Sequence, residues 1–176
     1  MPSYQQLSEF FSRFFPKDLL YKYGMNFSPM YRRTTGRITY ISEDFRLIKV
    51  TIPLSLKNRN FVNVMFGGSM FSAVDPFPMV QLINLIGSDF VVWDKSAEIK
   101  FRRPVTEDLY AEFTYSESEL DEIKEQVSAK KEIEFKKQVK LTNKTGDTLF
   151  CEVIKNLYIA EKEFYKQKRR SNKTAS

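Results

Sequence analysis

Histidine is absent from the 176 residues, and cysteine occurs once, at Cys151. Without imidazole, neither a Ser-His-Asp nor a Cys-His nucleophile can be assembled, nor a zinc site built on His and Cys. Polar catalysis would have to come from carboxylates, lysines, hydroxyls, amides or backbone N–H groups. A single cysteine excludes an intramolecular disulfide, which suits a reducing compartment, and its apolar neighbours predict a small buried side chain on a strand. Nowhere do 18 apolar residues follow one another, and the start, Met1-Pro2-Ser3-Tyr4-Gln5-Gln6, lacks the basic stretch and apolar run of a secretory signal. The expectation is a cytoplasmic protein with no membrane partner.

What the chain has in quantity is aromatic side chain: 16 Phe and 9 Tyr, enough to fill the core of one domain. The net charge of +6 is local. Lys166, Lys168, Arg169, Arg170 and Lys173 lie beyond Tyr165 with no acid among them, which leaves 23 basic against 22 acidic residues in the body. A nearly neutral body argues against nucleic acid as a partner. The expected organisation is one domain over residues 1–165 and a solvated, flexible basic tail over 166–176.

Leu7, Phe10, Phe11, Phe14 and Phe15 at helical spacing predict a short amphipathic helix over 4–15, ended by Pro16. Residues 36–56 read as a strand hairpin turning near Ser42-Glu43-Asp44. Gly67-Gly68-Ser69 then opens an apolar helix that runs to Gly87, and Pro76 and Pro78 predict a kink or break just after Asp75. In the strand over 90–103, alternation places Val91, Trp93, Ala97, Ile99 and Phe101 on one face and Asp94, Ser96, Glu98, Lys100 and Arg102 on the other. Lys95 falls on the apolar face, where it must reach the sheet edge or meet an acid. A strand over 109–115, a charged helix opened by Ser118-Glu119-Leu120-Asp121 as a capping box, and strands over 132–141 and 148–160 joined by a turn at 143–147 complete an α+β chain.

Asn60, Asn63, the run Phe66-Gly67-Gly68-Ser69 and Asp75 resemble the Asn-x-x-Gly-x-x-His-Gly-Gly signature, with an Asp seven residues on, of hotdog-fold acyl-CoA thioesterases of the phenylacetyl-CoA thioesterase type. Asp-Pro-Phe and Val92-Trp93-Asp94-Lys95 are similar to an uncharacterised bacterial thioesterase-like branch, and the resemblance covers about residues 36–160. It implies a curved antiparallel sheet wrapped around one long buried helix, an acyl-CoA or related thioester as substrate, and no cofactor beyond the coenzyme A that the substrate carries, with no metal. It also implies a homodimer, or a tetramer of two dimers. Hotdog dimers set their long helices side by side and antiparallel, so Gly67, Gly68 and Asn60 would polarise the carbonyl while Asp75 of the partner activates water. Within one chain that acid lies seven residues past Gly68, about 10 Å along the axis and too far to act on the same carbonyl.

Backbone N–H groups at a glycine-opened helix start suit an oxygen that turns negative in the transition state. An ordinary Asp, with a pKa near about 4, is a weak base at neutral pH, so flanking Phe71, Val74, Phe77 and Met79 would matter by limiting its hydration. Phe66 replaces the family histidine, and Asn63 the glycine, at a position where a left-handed backbone is expected. By the same resemblance Phe66 and Ser69 line the substrate, and Asp94 aligns with a hydroxyl that holds the water. Strand alternation points Lys95 inward instead, and a bulge decides between the two. Arg102 and Arg103 are placed either to meet the phosphates of coenzyme A or to end the strand in solvent. The alternative function is a non-catalytic acyl-CoA or lipid-binding hotdog. The hotdog hydratases rely on an Asp-His pair, which this chain cannot form.

Overall fold

The computed structural model describes residues 15–174; the helix expected over 4–15 lies, apart from Phe15, outside them. Helices α1 (Lys17–Phe27) and α2 (Pro29–Arg32) precede strands β1 (Arg37–Ile41) and β2 (Leu47–Ile52). The central helix follows in two pieces, α3 (Gly67–Val74) and α4 (Phe77–Ile86). Strand β3 (Phe90–Phe101), β4 (Leu109–Thr114), helix α5 (Glu117–Lys130), β5 (Glu132–Thr142), β6 (Leu149–Glu161) and helix α6 (Lys162–Thr174) complete the chain. The six strands form one antiparallel sheet in the order β1-β2-β4-β5-β6-β3, so β1 and β3 are its edges.

The central helix breaks where its prolines require it. Pro76 and Pro78 bring no N–H to the ladder, so carbonyls of the preceding turn lose their helical donors. Buried hydroxyls bond the backbone on either side of the break: the Tyr31 hydroxyl donates to Ala73 O at 3.0 Å, and the Tyr115 hydroxyl to Pro78 O at 3.0 Å. Phe77, 1% exposed, packs edge-on against Tyr31 and tilted against Phe113. Gly36 makes this approach possible, because a Cβ there would lie 2.7 Å from Tyr31 Oη and 2.9 Å from the Ala73 methyl. Gly36→Ala is expected to displace the hydroxyl from Ala73 O and lower stability by about 2 kcal/mol; an unchanged thermal midpoint would contradict this.

Two buried clusters make up the core. One lies under α3 and the β1-β2-β4 half of the sheet, with Ile48, Val50, Val74, Leu109 and Leu141. The other lies between α4, α5 and the ends of β5 and β6, with Leu82, Ile123, Val127, Leu157 and Ile159. Cys151 is fully buried in the first, as expected, and burial pushes its thiol up to about 11, which leaves it protonated at neutral pH.

Several expectations need correction. The capping box of α5 is built by Ser116 and Glu119 rather than by Ser118 and Asp121, because Ser116 Oγ accepts the Glu119 N–H at 3.1 Å while the Glu119 carboxylate accepts the Ser116 N–H. Residues 166–174, expected as a flexible tail, continue α6; Lys168 pairs with Glu132, and the Tyr165 ring packs against Tyr158. Helices α1 and α2 carried no prior expectation. Ser28 caps α2 by accepting the Tyr31 N–H, with Pro29 in the first helical position.

Candidate functional site

Strand β6 sends Cys151, Val153, Lys155, Leu157 and Ile159 to the buried face, and the only charged member of that row, Lys155, is 3% exposed. An ammonium in an apolar core is tolerated only when paired. Lys155 Nζ lies 2.5 Å from Asp75 Oδ1 and 3.1 Å from Asp94 Oδ1, with the Phe71 ring 5.6 Å away. The cluster is placed by three elements: Asp75 caps the C-terminus of α3 at the break, Asp94 lies on edge strand β3, and Lys155 lies on β6 between the two core clusters. Ala97, the residue paired with Lys155 across β3 and β6, leaves room for the lysine to reach both acids.

The carboxylates face outward from this buried cation. The Asp75 side chain is 40% exposed and that of Asp94 27%. Burial pushes the Asp94 carboxyl above the usual carboxylate range; the Lys155 ammonium opposes the shift and the Asp75 carboxylate adds to it. A partly exposed acid with a raised pKa suits proton transfer near neutral pH better than an ordinary one.

The choice between Asp94 and Lys95 is resolved by a bulge. Asp94 pairs with Leu157 and Ser96 with Asn156, so Lys95 is the extra residue. Lys95 therefore turns to the outer face and bonds Glu134, which corrects its expected inward placement and supplies the acid it needed. The bulge also reverses the parity of the first half of β3: Val92 and Asp94 face inward with Ala97 and Ile99, while Trp93, expected inside, is 53% exposed.

The start of α3 has the expected outline. No acceptor among the described residues stands against the N–H of Gly67 or of Gly68, and Phe66 provides no side-chain cap. Both glycines pack closely under rings: a Cβ on Gly67 would lie 2.7 Å from Phe101, and one on Gly68 would lie 2.3 Å from Phe66. Phe66 and Phe101 are more than half exposed, so the helix start opens on an aromatic surface. Ser69 donates its N–H to Phe66 O within that first turn.

Asn60 shapes the loop that leads into α3, for its Oδ1 accepts the N–H groups of Val62 and Val64. Asn63 has φ 66°, the left-handed conformation expected for a residue standing in for glycine. Asn58, which sequence reasoning passed over, is 2% exposed and ties this loop to Thr35, Pro53 and Ser55. Arg102 is held by Glu152 at 2.7 Å, and Arg103 is exposed beside it. Among the described residues no group of three His, Cys, Asp or Glu side chains is placed to hold a metal ion, and no helix is long and apolar enough to cross a membrane.

A curved antiparallel sheet carrying a buried central helix, with an acid at the helix break, defines a protein of the hotdog type. Residues 17–159 match the family described as a domain of unknown function, DUF4442, and the chain belongs to that family. No curated protein matches the sequence. Among solved structures, the chain is similar to PA5026 from Pseudomonas aeruginosa, described as a protein of unknown function and probable thioesterase. The identity is 17%, the TM-score 0.66, and the match covers 92% of this chain and 98% of that one. It is also similar to the thioesterase SAV0944 from Staphylococcus aureus, at 13% identity and a TM-score of 0.54, covering 76% and 99%. A third is the thioesterase HI1161 from Haemophilus influenzae, at 12% identity and a TM-score of 0.50, covering 92% of each chain. At these identities the likeness is one of fold.

Proposed function

We propose that the protein is an acyl-CoA thioesterase that hydrolyses its substrate by carboxylate-assisted attack of water, working as a homodimer. The observation that carries this reading is the acidic cluster at the helix break, where two partly exposed carboxylates flank one buried ammonium. Core packing alone would favour an apolar residue at position 155. The thioester oxygen would be received by the N–H groups of Gly67 and Gly68 of one protomer, where charge develops as the tetrahedral species forms. The Asp75 carboxylate of the partner would take the proton from the attacking water and return it to the coenzyme A sulfur as the carbon–sulfur bond breaks, leaving the acid and the free thiol. Phe66 and Ser69 would flank the acyl group, with Asp94 beside the water and Arg103 toward the coenzyme A phosphates. Asn60 acts through the loop that it holds, and Lys95 has no part.

The alternative, an acyl-CoA or lipid binder without turnover, is favoured by one specific feature: the Asp75 oxygen nearest the cation is already engaged at 2.5 Å. Free-thiol release from a panel of acyl-CoA esters, run beside short thioesters lacking the nucleotide, separates the two. Hydrolysis of at least one ester, with a lower KM for the coenzyme A forms, is the expected result. Saturable binding with no thiol released would establish the binder and remove the enzyme.

A further inference from the structure

We propose that Lys155 is a positioning residue: its ammonium holds Asp75 and Asp94 together at the helix break, turning Oδ1 of each acid inward and leaving Oδ2 of each toward the opening. The activity arm of this inference rests on the thioesterase reading of the same cluster. The geometry itself does not.

Neutralising one buried ammonium takes one carboxylate. Here there are two, both within 3.1 Å of Nζ, so the cluster holds one carboxyl group more than the ammonium needs as a counter-charge. The second acid satisfies another of the three ammonium N–H donors, but it also adds repulsion with the first carboxylate in a region of low polarisability. The uncommitted oxygens face outward, since Nζ takes Oδ1 from each carboxylate and neither Oδ2 has a hydrogen-bond partner among the described residues. A water at that opening would meet an acceptor fixed from behind, as positioning of a reacting group requires.

The cation is not shared with other groups. Lys137 of β5, paired in register with Lys155, points to the same face, but its ammonium bonds Glu119 at 2.6 Å and lies 4.2 Å from the centre of the Tyr115 ring. Tyr115 itself is held protonated well above its ordinary value, by burial first and then by the Glu119 and Asp94 charges. Among the described residues, Lys137, Asp75, Asp94, Glu119 and Tyr115 face Lys155 in this layer, from β5, α3, β3, α5 and the end of β4, with the Cys151 thiol further along the same row of β6. Among the described residues only Asp75 and Asp94 are paired with Lys155.

The test compares Lys155→Met and Lys155→Arg with the wild type by steady-state kinetics across pH, and by carbon NMR titration of the Asp94 carboxylate, which needs no substrate. In Lys155→Met the Asp94 midpoint is expected to move to higher pH, because the cation that opposed protonation is gone and the Asp75 charge remains. Its kcat is expected to fall about a hundredfold with little change in KM, as for a displaced reacting group. Lys155→Arg keeps the charge but not the shape, so it should retain the Asp94 midpoint and lose part of kcat. An Asp94 midpoint unmoved in Lys155→Met, or wild-type kcat in either variant, would overturn the assignment. If Lys155→Met does not fold, Lys155→Met/Asp94→Asn, which removes the excess acid, replaces it for kinetics, and Lys155→Arg decides the positional claim. Should the wild type release no thiol from any ester, the thioesterase reading fails while the titration still decides this one.

Discussion

Asp75→Asn is expected to lose thioester turnover by about a thousandfold, within the usual range for removing a positioned proton acceptor. The amide cannot accept the proton that the attacking water must give up, so the loss should appear in kcat and leave KM almost unchanged. The fold should survive, because Lys155 keeps Asp94 at 3.1 Å and is not left as a lone buried charge. Asp75 is also the C-terminal cap of α3, but it acts there through its backbone N–H, which donates to Phe71 O and is retained in asparagine. Thiol release over a range of substrate concentrations, and thermal melting of the same preparation, check all three points. Wild-type turnover by the variant would remove Asp75 from the chemistry and leave Asp94 as the remaining acid of the cluster.

Much of the fold could be read from side-chain periodicity, because the sheet is antiparallel and presents one face to the core. The row Cys151, Val153, Leu157 and Ile159 follows that rule, and the prolines at 76 and 78 announced the helix break. The same row contains Lys155, whose inward parity was visible in the sequence but was not drawn out. Its partners stand 80 positions away at Asp75 and 61 positions away at Asp94, separations over which no local pattern speaks. The bulge at Lys95 was invisible for a related reason: one extra residue reverses every face before it, and only the pairing with β6 shows where it falls. Asn60 was named from a motif whose asparagine here serves its own loop, while the buried Asn58 two residues earlier had no motif to mark it.

The prolines set the break that presents Asp75 and Phe77 packs it against the core, so Phe77→Ala is expected to be strongly destabilising. The side chain is 1% exposed, its ring centre lies 5.4 Å from that of Tyr31 and 5.0 Å from that of Phe113, and it stands at the first position of α4. Truncation removes the transfer energy of the ring, both aromatic contacts and the support for the Tyr31 hydroxyl that bonds Ala73 O. A loss of about 4 kcal/mol follows for a buried Phe→Ala change, a large share of the roughly 5–15 kcal/mol that holds a domain folded. Phe77→Leu, which keeps most of the volume, should lose about 1.5 kcal/mol. In urea the alanine variant should show a lower midpoint at unchanged slope, since the surface exposed on unfolding is almost the same. A loss below about 1 kcal/mol would mean that the packing beside the break closes over the missing ring and does not depend on Phe77.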